Sequence, residues 1–199
     1  MSLSPSSSSS ASAQARPRGV LYVIVCAAGA APGVAGLITM AREVGWAVQV
    51  VATPSALGFV DVPELERLSG RPVRSRYRRP DEPKPPRADA IVVAPATYNT
   101  VNKFAQGVAD TYALGLLAEA PGLGIPVVVV PFVNAALASR LPFRRSVETL
   151  CAEGVRVLFC QVEPDPRASD PGDGHQGGAP DPWRAALDEI EALRVAEGG

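Results

Sequence analysis

Short, continuous apolar runs alternate with segments of helical periodicity along most of the chain. Apolar runs without polar alternation are typical of strands that are buried on both faces of a parallel sheet. The pattern predicts strands at 20–26, 47–52, 90–94, 127–130 and 155–160, with a further short strand at 72–75. It predicts helices at 34–43, 56–68, from about 99 to 120, at 143–153 and at 183–195. The expected fold class is α/β: a doubly wound, Rossmann-like or flavodoxin-like parallel sheet, with helices on both faces in three layers.

Changes in composition divide the chain into four parts. Residues 1–18 are rich in Ser, Ala and Pro, and they are predicted to be a disordered tail. Residues 19–162 carry the alternating pattern and form the main predicted domain. Residues 163–180 are a Gly- and Pro-rich loop, and residues 181–199 are predicted to add a C-terminal helix.

Composition limits the classes of function. With 199 residues, 47% of them hydrophobic, and a net charge of −1, the chain has the make-up of one soluble domain with a sizeable core. Basic residues cluster between 67 and 87, but acidic residues are interleaved and no aromatic ladder accompanies them. This favours a solvated loop over a nucleic-acid site, and a small anionic ligand stays open. No segment has the length of a membrane span or the pattern of a secretory signal, so we expect a cytoplasmic protein.

The cysteine and histidine positions do not predict a metal site. Three cysteines, Cys26, Cys151 and Cys160, lie in or beside apolar runs and are interpreted as small core residues. No pair has metal-ligand spacing, and the single histidine, His175, lies among Gly, Asp and Pro.

An unusually polar turn follows the strand at 90–94 and leads into a helix. Thr97, Asn99, Asn102 and Lys103 crowd this junction. One of the residues at the helix start can serve as a cap, but a single cap explains one residue only. Because ligands bind at the carboxyl ends of parallel strands, a binding loop is the favoured interpretation.

Three other loops are predicted at the same edge of the sheet, at 27–33, 53–58 and 131–141. The first contains Gly and opens toward a helix, so its N–H groups and the helix dipole suit a phosphate, although such a glycine also serves turn geometry alone. Ser55 in the second loop offers a hydroxyl, either to a ligand or as a cap. Asn134 in the third is a lone amide in an apolar run, and it needs a partner from the backbone or a ligand.

The segment 95–100, Pro-Ala-Thr-Tyr-Asn-Thr, together with Lys103, Ala105, Gly107 and Asp110, resembles a known motif. It is similar to the Pro-Ala-Ser-Ala-Asn-Thr motif of cysteine decarboxylases that bind flavin mononucleotide (FMN). That family of flavoproteins includes phosphopantothenoylcysteine decarboxylase and the enzymes that decarboxylate the C-terminal cysteine of lantibiotic precursors. Weaker similarities involve Ser55, Ala56 and Phe59, and Pro131 with Asn134, so that the resemblance spans about residues 19–180.

The resemblance implies FMN as the cofactor and a small-molecule or peptide thiol as the substrate. It implies flavin oxidation of a cysteine thiol to the thioaldehyde level, followed by easy loss of carbon dioxide. The cofactor-binding residues that it implies are Ala28, Gly29, Ala30, Ser55, Phe59, Pro95, Ala96, Thr97 and Asn99. It places Asn99 and Asn134 at the substrate, and by analogy with the family it implies a homotrimer or a multiple of one.

Departures from the family leave two classes of function. Asp81 stands at or near the position of the family's catalytic histidine, so Asp81 joins Asn99 and Asn134 as a catalytic candidate. The segment 168–180 resembles the family's substrate flap, with Ser169 in place of a reducing cysteine, or it is a plain linker. The chain is then either a decarboxylase-type enzyme for a thiol or carboxylate substrate, with a nonstandard base, or a divergent flavin-binding or regulatory protein. No metal, nucleic-acid or membrane partner is expected.

Overall fold

A computed structural model of the protein describes residues 18–159 and 181–197. The described residues form five strands: β1 Val20–Val25, β2 Ala47–Ala52, β3 Ala90–Ala96, β4 Val127–Pro131 and β5 Arg156–Val157. They also form seven α-helices: α1 Val34–Glu43, α2 Val62–Ser69, α3 Tyr98–Ala105, α4 Tyr112–Glu119, α5 Ala135–Ala138, α6 Leu141–Ala152 and α7 Pro182–Glu197.

The strands form one parallel sheet in the order β2-β1-β3-β4-β5. This confirms the predicted α/β class. Every residue of β3 and β4 is buried, as continuous apolar runs require when both faces of a sheet are covered. The order places β1 beside β3, and it is at this reversal of the winding that open α/β sheets bind ligands.

Alternate residues of each strand contribute to two separate cores. In β1, Leu21 and Val23 pack with α1, α2 and α7 on one face, while Tyr22 and Ile24 pack with α3, α4 and α6 on the other. These four side chains are at most 2% exposed. Since full burial of a Leu, Val or Ile side chain contributes about 1.5–3 kcal/mol, the two cores stabilise the sheet between helical layers.

The prediction of a single helix from 99 to 120 is wrong, because this segment forms two helices, α3 and α4. Gly107 follows α3 with a φ of +67°, a left-handed conformation that glycine adopts without a Cβ clash. Thr111 then caps α4, its Oγ1 accepting a hydrogen bond from the Leu114 N–H at 3.2 Å. The apolar periodicity continues across this turn and conceals it in the sequence.

Other predicted elements are shorter or divided. The helix predicted at 56–68 is a 3₁₀ turn at Pro54–Gly58 followed by α2, which starts where the Asp61 carboxylate accepts from the Glu64 N–H at 3.1 Å. The strand predicted at 72–75 reduces to a bridge between Arg74 and Val51. Only Arg156–Val157 of the last predicted strand is extended among the described residues.

Some predictions concern residues outside the described ranges: the N-terminal tail, Cys160, Ser169, the segment 168–180 and His175. Of the described cysteines, Cys26 is buried as predicted, whereas Cys151 is exposed because it lies on the outer side of α6. Within residues 18–159 and 181–197, no helix combines the length and the apolar character needed to cross a bilayer.

Candidate functional site

The four predicted loops follow β1, β2, β3 and β4 at one edge of the sheet. Because these strands are neighbours and parallel, their carboxyl ends lie side by side. Three backbone hydrogen bonds join the loops: Thr53 N–H to the Val25 carbonyl at 2.9 Å, Cys26 N–H to the Pro95 carbonyl at 3.1 Å, and Phe132 N–H to the Ala96 carbonyl at 2.9 Å. The edge is therefore one continuous surface.

The turn after β1 presents free backbone donors. Among the described residues no acceptor meets the N–H groups of Gly29 and Ala30, whereas Ala28 donates to the Cys26 carbonyl at 2.9 Å. A Cβ added to Gly29 would have nothing within 4 Å, so open space adjoins the turn. Two free N–H groups just before a helix start are a suitable cradle for an anion.

The turn after β2 presents free hydroxyl groups. Ser55 is exposed, and its hydroxyl has no hydrogen-bond partner within the part of the chain that the structure describes. Thr53 precedes the 3₁₀ turn without forming a side-chain cap. Phe59, at the end of this turn, leaves 48% of its surface exposed. The structure therefore does not show Ser55 acting as a helix cap.

The turn after β3 is organised around a hydroxyl pair. Thr97 caps α3, because its Oγ1 accepts from the Thr100 N–H at 3.3 Å. The Thr97 and Thr100 hydroxyls lie 3.0 Å apart in a hydrogen bond, and the Cys26 thiol donates to Thr100 Oγ1 at 3.3 Å. Burial raises the pKa of the Cys26 thiol, and hydrogen bonds to Thr100 and Thr97 oppose that shift only in part. Cys26 is thus a neutral, buried thiol that ties β1 to α3.

The remaining polar residues of this junction serve different purposes. The Asn102 amide donates to the Tyr98 carbonyl at 2.9 Å and accepts from the Ser146 hydroxyl at 2.7 Å, which fastens α3 to α6. Lys103 forms an ion pair with Asp110 across the turn to α4. Asn99 is exposed, and its amide has no hydrogen-bond partner among residues 18–159 and 181–197. Of the crowded polar residues, Asn99 is the one whose side chain the fold leaves unused.

Asn134 lies after β4 and caps α5. Its Oδ1 accepts from the Leu137 N–H at 2.9 Å, and the side chain is exposed. The sequence left a backbone partner or a ligand open for this amide, and the structure describes the backbone partner. The Nδ2 group has no acceptor among the described residues and faces no burial penalty.

Pro95 and Ala96 are buried within β3, and their carbonyls accept the hydrogen bonds that join the loops. They shape the edge without offering it a free polar group. Asp81 lies on the long connection between α2 and β3, is exposed, and has no described hydrogen bond or ion pair with the loop residues. The structure therefore places Ala28 to Ala30, Ser55, Thr97, Asn99 and Asn134 on the four loops of this edge, whereas Asp81 belongs to a different connection.

An aromatic pair beside the first loop was missed by sequence reasoning. The rings of Phe132 and Trp183 stack with centroids 5.5 Å apart and planes at 17°. A Cβ on Gly33 would lie 2.9 Å from Trp183 Cζ2, so the start of α7 packs tightly against the start of α1. Gly33 and Trp183 are 150 positions apart in the chain, so no local sequence pattern predicts their contact.

A family model for flavoproteins matches residues 8–194. The chain belongs to the flavoprotein family. Among curated proteins, the coenzyme A biosynthesis bifunctional protein CoaBC of Bacillus subtilis is 28% identical over 151 residues, which are 71% of this chain and 36% of that protein. The chain thus spans about a third of the length of this curated relative.

Solved structures of flavoproteins have the same fold. The cypemycin decarboxylase CypD is 27% identical, with a TM-score of 0.67 over 91% of this chain and 96% of that chain. The FMN-dependent cysteine decarboxylase SpaF is 24% identical, with a TM-score of 0.69 over 90% of this chain and 99% of that chain. The likeness to SpaF concerns the fold.

Proposed function

We propose that the protein binds FMN at the carboxyl edge of its sheet and acts as a decarboxylase-type flavoprotein on a cysteine-derived or other thiol-carboxylate substrate. The observation that carries the proposal is the set of unused polar groups on adjacent loops. These are the N–H groups of Gly29 and Ala30, the Ser55 hydroxyl and the Asn99 amide. In a member of the flavoprotein family, such groups at this edge suit a flavin nucleotide.

The phosphate of FMN would be held by the turns after β1 and β2. Two free N–H groups and one hydroxyl supply neutral donors, and the N-terminal dipole of α1 adds favourable partial charge. The open space beside Gly29 leaves room for the phosphate oxygens, while any side chain at this position would occupy part of that space. Phe59 offers an exposed apolar surface next to Ser55 for the remainder of the cofactor.

The ring and the substrate would lie nearer to α3. Thr97 is held rigidly by its bonds to Thr100, so its hydroxyl keeps one position at the edge. Asn99 presents both donors and an acceptor, which allow it to bind a substrate carboxylate. Asn134, fixed by its cap on α5, would contribute its free Nδ2 donors to the same substrate.

Bound FMN would supply the two-electron oxidation that takes the thiol carbon toward the thiocarbonyl level and so eases loss of carbon dioxide. The chain's own task is to bind, orient and accept a proton. Asp81 is our candidate for the proton acceptor. Because Asp81 has no described hydrogen bond with the loops of its own chain, we propose that it reaches the site of a partner subunit in the homotrimer that the family resemblance implies.

Four variants test the assignment, with the visible spectrum of the purified protein as the first measurement. FMN released by acid would identify the cofactor. Ser55→Ala should lower FMN retention, whereas Thr39→Ala, which removes an exposed hydroxyl bonded only within α1, should not. Asn99→Ala should lower carbon dioxide release from a peptide ending in free cysteine, while Gln106→Ala, at the far end of α3, should not. Unchanged FMN content and turnover in Asn99→Ala would falsify the site.

A second function is favoured by one observation: the chain has a single histidine, His175, and none in the segment before β3. A divergent flavin-binding or regulatory protein would keep FMN without turning over thiol substrates. Anaerobic mixing of the FMN-loaded protein with cysteine-terminated peptides separates the two functions. Bleaching of the flavin absorption together with release of carbon dioxide supports the enzyme, and a stable yellow spectrum supports the binding protein.

A further inference from the structure

Residues 71–87, here called the basic loop, link α2 to β3 and carry a concentrated positive charge. The basic loop contains seven basic and two acidic side chains, a balance of +5. Because the whole chain has a net charge of −1, all other residues together carry −6. The positive potential is therefore confined to one segment of an otherwise acidic molecule.

The positive side chains of the basic loop are exposed and mostly unpaired. The exposed members are Arg76, Arg78, Arg79, Lys84 and Arg87. Among the described residues, the only ion pair that the loop's basic side chains form with a carboxylate joins Arg76 to Glu82 at 2.7 Å. Arg78 donates to backbone carbonyls of the loop itself, at 3.2–3.4 Å. The side chains of Arg79, Lys84 and Arg87 have no described hydrogen bond, so they are available to an external anion.

The basic loop is held in a defined shape against the sheet and α4. The Tyr22 hydroxyl donates to the Pro86 carbonyl at 2.7 Å, and the ring of Tyr77 packs edge-on against Tyr112 with centroids 5.2 Å apart. Five of its seventeen residues are proline, which fixes the backbone φ at each of those positions. A loop that is already ordered loses little conformational entropy when a partner binds it.

The chemistry of the basic loop favours carboxylates over a nucleic acid. Tyr77 is the loop's one aromatic residue, so the loop lacks the series of aromatic faces on which successive bases stack. The −6 balance of the remaining residues would repel a long polyphosphate chain that extended beyond the loop. A short segment with several carboxylates can match the spread cations without meeting that repulsion.

We propose that the basic loop is a docking surface for an acidic polypeptide segment, with Arg79, Lys84 and Arg87 as its principal contacts. This proposal does not rest on FMN binding or on decarboxylation. It adds a partner of stated chemistry, a stretch of chain rich in Glu or Asp, at a loop that starts beside the end of β2, where Arg74 bridges Val51, and runs on to the start of β3. If the substrate is a peptide, an acidic part of that peptide is one form the partner can take.

Fluorescence anisotropy with a labelled peptide of alternating Glu and Ser tests the proposal on the 199-residue protein. The triple variant Arg79→Gln, Lys84→Gln, Arg87→Gln removes the three unbonded cations. A matched triple variant, Arg144→Gln, Arg145→Gln, Arg184→Gln, removes three exposed arginines from α6 and α7 and changes the net charge equally. A peptide of alternating Gln and Ser and a single-stranded oligothymidylate of equal charge serve as competing probes.

We expect the acidic peptide to bind the wild-type protein and the matched variant similarly. The basic-loop variant should bind it at least about fivefold more weakly, since each exposed ion pair contributes modestly. Added salt at about 0.5 M should abolish the difference by screening. Lys84→Glu alone should weaken binding in the same direction, which keeps the test valid if the triple variant unfolds.

Three results would overturn the proposal. Equal weakening by both triple variants would mean that net charge alone attracts the peptide. Tighter binding of the oligothymidylate than of the acidic peptide would make the surface a nucleic-acid site. Absence of acidic-peptide binding to wild-type protein that retains its normal unfolding transition would leave the basic loop without this role. None of these outcomes depends on whether FMN is bound.

Discussion

Substitution of Gly33 by alanine sets two physical effects against each other. The backbone of Gly33 has φ −67° and ψ −12°, a right-handed helical conformation that alanine adopts without strain. At helical positions alanine is generally favoured over glycine by up to about 1 kcal/mol. A local view of the helix start therefore predicts that Gly33→Ala stabilises the protein.

The contact with Trp183 predicts the opposite sign. The added Cβ would lie 2.9 Å from Cζ2 and 3.0 Å from Nε1 of the indole, closer than carbon atoms pack in proteins. The ring is restrained because it stacks on Phe132 with centroids 5.5 Å apart, and the start of α7 is fixed because the Trp183 backbone N–H donates to the Asp181 carboxylate at 3.0 Å. Overpacking of this kind costs about 1–3 kcal/mol.

We therefore expect Gly33→Ala to lower the free energy of unfolding by about 1–2 kcal/mol after the helix gain is subtracted. The corresponding fall in Tm is about 2–8 °C for a chain of this length. Gly36→Ala is the matched control, since Gly36 lies in the first turn of α1, three residues after Gly33, and its added Cβ would have nothing within 4 Å. That variant should raise Tm by a few degrees, about 1 kcal/mol.

A double-mutant cycle isolates the contact. In a Trp183→Leu background the bulky ring is gone, so Gly33→Ala should become neutral or stabilising, and the two substitutions should couple strongly. Thermal unfolding followed by circular dichroism measures all four proteins. An increase in Tm for Gly33→Ala in the wild-type background, equal to that of Gly36→Ala, would refute the packing of α7 against α1 described above.

Three further predictions concern buried polar groups. Ser146→Ala leaves the side-chain Oδ1 of Asn102 without its donor and should cost about 1–3 kcal/mol in urea unfolding; no loss would mean that water replaces the hydroxyl. Thr100→Val should destabilise by about 1–2 kcal/mol, whereas Thr100→Ser, which keeps the bond to Cys26, should cost less; equal effects would remove the hydroxyl's role. Burial raises the pKa of Cys26 and Tyr112 above their ordinary values of 9.0 and 10.0. Because the unfolded chain then loses its protons first, stability should be full below about pH 9 and fall above it, with a shallower fall in Tyr112→Phe.

The strands were predictable from the sequence because their hydrophobic pattern is unambiguous. β2 has the predicted bounds, since its apolar run, broken only by Gln49, has one low-energy place in an α/β fold. The break between α3 and α4 could not be predicted from the sequence, because Leu116 continues the apolar periodicity of Val101 and a single glycine, Gly107, destabilises a helix only slightly. Here the cap from Thr111 and the ion pair between Lys103 and Asp110 decide the local structure.

The location of the candidate site was also predictable, because parallel strands deliver all their carboxyl ends to one edge. The roles of individual polar residues were not. Thr97, Asn99 and Asn102 are nearly adjacent in sequence, yet the first caps a helix, the third bonds to Ser146 on another helix, and only Asn99 remains unused. Those differences depend on distant elements that a single sequence does not reveal.

The division between used and unused groups also explains why this edge is suited to binding. Bonds such as Cys26 to Thr100 and Asn134 to Leu137 fix the loop backbones, so the free donors beside them keep their positions. A ligand that meets preorganised donors pays little conformational entropy on binding. Removal of a fixing bond and removal of a free donor should therefore weaken a ligand in different ways. The first should lower protein stability and binding together, and the second should lower binding alone.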